Sequence, residues 1–285
     1  MSRWNKWCLG LAAGLVVGLA AFWAFSPSSG QSDPAPAPPP VVQSSQATPP
    51  EQALERALQL ADEARRVLEG VKDYTATFVK QERLEGKLLP QEVIQLKVRH
   101  QPFSVYLKHL APPGLKGQEA IWVQGANDDK IIAHGAGILN VATVRLDPEG
   151  TLAMKGNRHS IRHVGLRHLL QELLRLCEEH RQQLLQCRIW FLDEEVDGVP
   201  CQVLEVRAPR RWEDFPWAMA RIYLDKQKRI PIRYEAYDWP PEGQKDLQLI
   251  EHYYYKDLKL NVGLTDKDFD PNNEEYNYPQ WKLPF

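Results

Sequence analysis

From Asp73 onward the apolar residues of this chain fall on every second position, and that period constrains the fold more than any other feature. Tyr74, Ala76 and Phe78 alternate with Thr75, Thr77 and Val79, and Glu85-Gly86-Lys87 makes a turn. Ile94, Leu96 and Val98 then oppose Gln95, Lys97 and Arg99. After Gln101-Pro102, Phe103, Val105 and Leu107 share one face while Ser104, Tyr106 and Lys108 share the other. Such alternation belongs to antiparallel strands with one covered face. Further strands are expected at 120–124, 130–134 and 139–146, with turns at 126–129 and 135–137, then at 188–196, 202–208, 218–225, 231–237 and 247–260. Asp197-Gly198 supplies another turn. Thr265 with Asp268 caps a last short turn, from which Phe269 can plug an end of the core.

Two segments carry the helical period instead. Leu54, Leu58, Ala61, Leu68 and Val71 recur at helical spacing after Thr48-Pro49-Pro50-Glu51, which reads as a capping box with proline at the first helical position, and Gly70 supplies a stop. Residues 166–185 form the second helix, with Leu169, Leu170, Leu173, Leu174, Leu176, Cys177 and Leu184 on a broad apolar stripe. Two apolar stripes and about ten strands are buried most simply as one α+β domain over 51–285, with both helices on one face of a large twisted antiparallel sheet. No alternating strand–helix–strand pattern points to a parallel nucleotide-binding sheet.

The first fifty residues set the compartment. Residues 8–25 run 18 positions without a charge behind Arg3 and Lys6. As a helix they span roughly 27 Å, near the ~30 Å hydrocarbon core. The preceding positive charges keep the N-terminus cytoplasmic and the remainder exported. Phe22, Trp23 and Phe25 crowd the far end as an interfacial belt, which favours a single-pass anchor in the inner membrane over a cleaved signal and a secreted domain. Gly10, Gly14 and Gly18 have the spacing of a helix-dimer face, although export signals are commonly rich in Gly and Ala. Residues 26–50 hold Pro27, Pro34, Pro36, Pro38, Pro39, Pro40, Pro49 and Pro50, the composition of an extended spacer. The domain is expected in the periplasm, on a stalk.

The net charge of −2 argues against a nucleic-acid partner. Cys8 lies in the apolar run, and Cys177, Cys187 and Cys201 make an odd number, so buried thiols are favoured over a disulfide framework. No phosphate loop, zinc-binding helix motif or nucleophile elbow occurs, and no nucleophile, base and orienter can be assembled, so catalytic residues, metal and cofactors are expected to be none. A Cys177–His180 pair is conceivable at helix spacing, but Cys177 falls on the apolar stripe, where burial silences a thiol. His159, His163 and His168 each follow an arginine (Arg158, Arg162, Arg167). A solvated basic helix entry is the favoured reading; the arrangement opposes a divalent cation and would suit an anion such as a phosphate headgroup better.

The order of these elements resembles the bacterial LolA/LolB/RseB superfamily, through Tyr74-Thr75-Ala76-Thr77-Phe78-Val79-Lys80-Gln81, Pro102-Phe103 with Tyr106, and Trp122. More closely, the chain is similar to an uncharacterised family of secreted bacterial proteins, through Asp197-Gly198-Val199-Pro200-Cys201, Ile222-Tyr223-Leu224-Asp225, Pro231-Ile232-Arg233-Tyr234, and the segment from Tyr255 to Asn261. The resemblance implies a half-open antiparallel barrel curled around helices, with a concave apolar surface for an acyl chain, lipid or lipoprotein. The lipoprotein carrier has arginine before the proline where this chain has Gln101, so the charged anchor of that family is missing. Phe78, Leu96, Val98, Phe103, Val105 and Trp122 are the candidate cavity lining. The alternative is an envelope sensor or assembly factor that contacts another envelope protein through Arg210, Arg211, Trp212, Phe215 and Trp217, a loop that could equally fold back over a barrel end.

Overall fold

Pro50 opens the first helix, α1 (Pro50–Glu69), because its fixed φ and missing N–H cost nothing in the first turn. The structure, a computed structural model, describes residues 48–136 and 142–279. The capping box expected from Thr48 does not form: Pro49 is the N-cap and no side chain caps the helix. Among the described residues no helix is long and apolar enough to cross a membrane. The apolar run 8–25 and the proline-rich segment up to residue 47 lie outside the described residues, as do 137–141, where one expected turn ends and one expected strand begins.

The strands are β1 (Asp73–Leu84), β2 (Lys87–Leu88), β3 (Glu92–His100), β4 (Phe103–Ala111), β5 (Glu119–Val123), β6 (Ile131–His134), β7 (Thr143–Leu146), β8 (Arg188–Val196), β9 (Val199–Arg207), β10 (Met219–Asp225), β11 (Pro231–Asp238) and β12 (Gln248–Leu260). All twelve join one antiparallel sheet in the order β7-β6-β5-β4-β3-β1-β12-β11-β10-β9-β8, with β2 beside β1. The chain therefore enters at the middle, meanders to one edge, crosses to the opposite edge, and returns until β12 pairs with β1.

The crossing carries α2 (Thr151–Met154), α3 (Leu166–Glu179) and α4 (Arg181–Leu184). The second helix expected as one piece breaks at His180, whose φ of −113° and ψ of 24° leave the helical region. The fold is thus richer in sheet than two main helices suggest, and those helices, α1 and α3, pack on each other and on β8 and β11.

Register follows the period-two pattern. Phe78 pairs with Ile94 and Tyr255, and Val98 with Tyr74 and Val105, so one apolar row crosses strand after strand on the face that α1 and α3 cover. The Asp197-Gly198 turn takes positive φ at both residues (49° and 79°), matching the twist of the hairpin it closes. The segment after β12 runs over the opposite face of β4–β6. There Tyr106 stacks on Tyr276 at 4.2 Å, Tyr278 donates to the Ile132 carbonyl, and Phe269 is buried beside them. Asp268 accepts from the Thr265 N–H at 2.9 Å, as the sequence suggested.

Candidate functional site

The apolar face of α1 and that of α3 do not close fully on the sheet. Between them and β8–β11 lies a cavity of about 80 Å³. Leu54, Leu58 and Ala61 enter it from α1, Leu170, Leu173, Leu174 and Cys177 from α3, and Leu204, Ala220 and Ile222 from β9 and β10. His180, Tyr234 and Trp217 bring nitrogen- or oxygen-bearing side chains to its otherwise apolar wall. Cys177 stands among leucines, and burial pushes its thiol above the ordinary range; burial alone raises Cys187 to about 12. All three described cysteines are free thiols.

The loop from Pro209 to Trp217 forms the cavity's end wall. Ala208 N–H bonds the Ala218 carbonyl at 2.9 Å, which pinches the loop closed at its base. Trp212, Phe215 and Trp217 then form a ladder of edge-to-face rings at 5.2 and 4.5 Å, and His180 at the end of α3 meets Phe215 at 5.4 Å. Phe215 and Trp217 line the cavity, and Trp217 is only 8% exposed. The loop offered by the sequence as a partner surface therefore turns two of its three aromatic rings inward. Arg210 and Arg211 stay outside, Arg210 over the Trp212 ring and Arg211 paired with Asp238 at 3.3 Å. The Trp217 Nε1–H is buried and finds no acceptor among the described residues.

The six residues expected to line a cavity all sit on the covered face, yet they divide. Phe78, Leu96, Val98 and Val105 are buried in the main hydrophobic core. Phe103 and Trp122, in edge contact at 5.6 Å, instead wall a second, open cleft of about 440 Å³ at the start of α3. Alternation identifies the covered face of a strand. It does not say which stretch of that face the helices seal, and here α1 and α3 leave their gap over β8–β11 rather than over β1, β3 and β4.

The far end of the same face is closed by charge, which the sequence reading missed. Lys80 reaches Asn157 at 2.6 Å, Glu92 at 3.2 Å and Glu82 at 3.7 Å. Burial works against its ammonium, but Glu92 and Glu82 hold its pKa above the ordinary value. Glu82 also accepts from the Tyr253 hydroxyl at 2.6 Å and from the Arg158 N–H at 2.9 Å. Glu251 accepts from His159, whose pKa the hydrogen bond raises. The signal was present: Lys80 and Glu82 continue the inward register of Tyr74, Ala76 and Phe78.

A family model described as "Protein of unknown function (DUF1571)" matches residues 71–278. No curated protein matches the chain. Among solved structures the chain is similar to the Mycobacterium tuberculosis lipoprotein LppX, at 13% identity and a TM-score of 0.42, over 77% of this chain and 100% of that one. It is similar to a putative outer membrane lipoprotein-sorting protein domain from Vibrio parahaemolyticus, at 16% identity and 0.36, over 77% and 98%. A third match is the Pseudomonas aeruginosa MucA/MucB complex, at 16% identity and 0.39, over 77% of this chain and 60% of that one.

Proposed function

The chain belongs to the DUF1571 family, and since that membership brings no activity with it, we propose from the site itself that the domain is an extracytoplasmic module that binds an acyl chain between its helices and its sheet. The observation that carries the reading is the cavity wall. An apolar void inside a close-packed protein forfeits contact energy and stays dry, so an apolar occupant is its natural content. At about 80 Å³ the void is smaller than the ~150 Å³ engineered cavity that admits benzene. A full chain therefore needs a gate, and the loop held by Phe215 and Trp217 is the wall with least secondary structure. The unmatched Trp217 donor suits the carbonyl oxygen of an ester or fatty acid at the cavity's end.

The inward turn of Phe215 and Trp217 favours this ligand reading over contact with an envelope protein through the same loop. The test is titration of a fluorescent fatty acid against full-length protein. Wild type should take it up saturably. Ala61→Phe, which fills the gap from α1, should reduce uptake at least tenfold, and Trp217→Phe, which keeps the wall and removes the donor, should weaken it about fivefold, equivalent to roughly 1 kcal/mol. Equal uptake by wild type and Ala61→Phe would defeat the proposal.

A further inference from the structure

We infer that the open cleft at the N-terminal end of α3 is a second binding site, for a phosphate ester whose organic part lies against Phe103 and Trp122. The cleft measures about 440 Å³, far more than one inorganic anion fills, and Arg162, Arg167, His100 and His168 line it together with those two rings. Its one carboxylate, Asp129, is already paired with Arg162. Arg162 keeps a buried Nε–H that bonds nothing among the described residues, and its guanidinium lies 5.6 Å from the centre of the Trp122 ring. Among the described residues Arg167 donates only to main-chain carbonyls, those of Leu68, Glu69 and Val71, so no described acid answers its charge through a hydrogen bond. A planar guanidinium with donors to spare is the usual partner of a phosphate oxygen.

The histidines fit the same reading. His100 gives its Nδ1–H to the Val71 carbonyl at 2.7 Å, which leaves Nε2 as the titrating nitrogen. Burial lowers its pKa, Arg167 and His168 add to the effect, and Asp73 and the Val71 carbonyl oppose it. Burial likewise lowers His168, helped by His163 and Arg167. Burial chiefly, and the neighbouring positive charge in addition, disfavour the charged rings, and a bound anion offsets the second of these. Binding of an anion should therefore draw protons onto the rings.

The cleft and the apolar cavity share no lining residue, so the two sites can fail separately. Gln124 and Gln171 are exposed on the cleft wall, where a carboxylate repels an anion without touching the core. The experiment is calorimetric titration of the full-length protein with glycerol 3-phosphate and with short-chain phosphatidic acid. Wild type and the double variant Gln124→Glu/Gln171→Glu are compared at pH 6 and pH 8, with circular dichroism as the check on folding. Wild type should bind at least one of the two, and the double variant at least tenfold more weakly at both pH values. Tighter binding of phosphatidic acid identifies a lipid headgroup, and equal or weaker binding identifies a soluble ester. If neither titrates, or if the folded double variant binds as wild type does, the inference is overturned.

Discussion

Lys80 is a buried ammonium that stays charged because Glu82 and Glu92 stand beside it, and removing it leaves two carboxylates facing low dielectric. Breaking a buried pair from one side typically costs about 3–5 kcal/mol. Lys80→Met should lower unfolding free energy by that order in urea denaturation at pH 7, and a loss under 1 kcal/mol would mean that water reaches the cluster. His252 poses the opposite case. It is 5% exposed, neither ring nitrogen has a partner among the described residues, and burial, with Arg233 adding, lowers its pKa to about 4. The unfolded chain takes up that proton near pH 6.5 and the folded chain does not, so stability falls as pH drops from about 6.5 towards 4. At pH 4.5 the loss from this residue is about 2–3 kcal/mol. His252→Leu should flatten the pH dependence of the urea midpoint over that interval by a comparable amount. An unchanged slope would show that His252 titrates normally.

At the scale of elements, the position of α3 depends on one close approach. Gly165 takes φ of 119°, and a Cβ placed on it would stand 2.6 Å from the Tyr74 hydroxyl, which accepts the Leu166 N–H at 2.9 Å. Gly165→Ala must therefore push α3 away from β1 as well as strain its own backbone. Tyr74→Phe leaves the Leu166 N–H buried without an acceptor, at about 1–3 kcal/mol. Thermal unfolding should rank Gly165→Ala as at least as damaging as Tyr74→Phe, and the reverse order would separate helix placement from this contact. Strand register was legible in the sequence because Tyr74, Ala76, Phe78 and their partners repeat a period that only one face can bury. The break at His180 was not legible, since the leucine stripe continues through it. The six candidate lining residues divide because inward direction is a local property, whereas coverage depends on how α1 and α3 cross a sheet assembled from both halves of the chain. The arginine–histidine run before α3 was visible as a basic cluster. Its role as the wall of a cleft became readable only when β4 and β5 supplied Phe103 and Trp122.

Across the whole molecule, the topology explains why helices and cavity sit where they do. Because the chain leaves one edge of the sheet at β7 and resumes at the other with β8, the crossing must span a face of the sheet. It brings α3 against α1, and their packing closes the region of Val98 and Val105 while leaving a gap above Leu204 and Ile222. A charged cluster shuts one end of that face, and the Trp217 loop forms a wall of the gap. On the proposed reading this gap holds an apolar molecule. Native mass spectrometry of the full-length protein, taken gently from cells, tests it most directly. A one-to-one adduct with the mass of an acyl lipid should appear on wild type and vanish from Ala61→Phe. Bare protein in both samples, or an adduct that persists in the variant, would contradict the account.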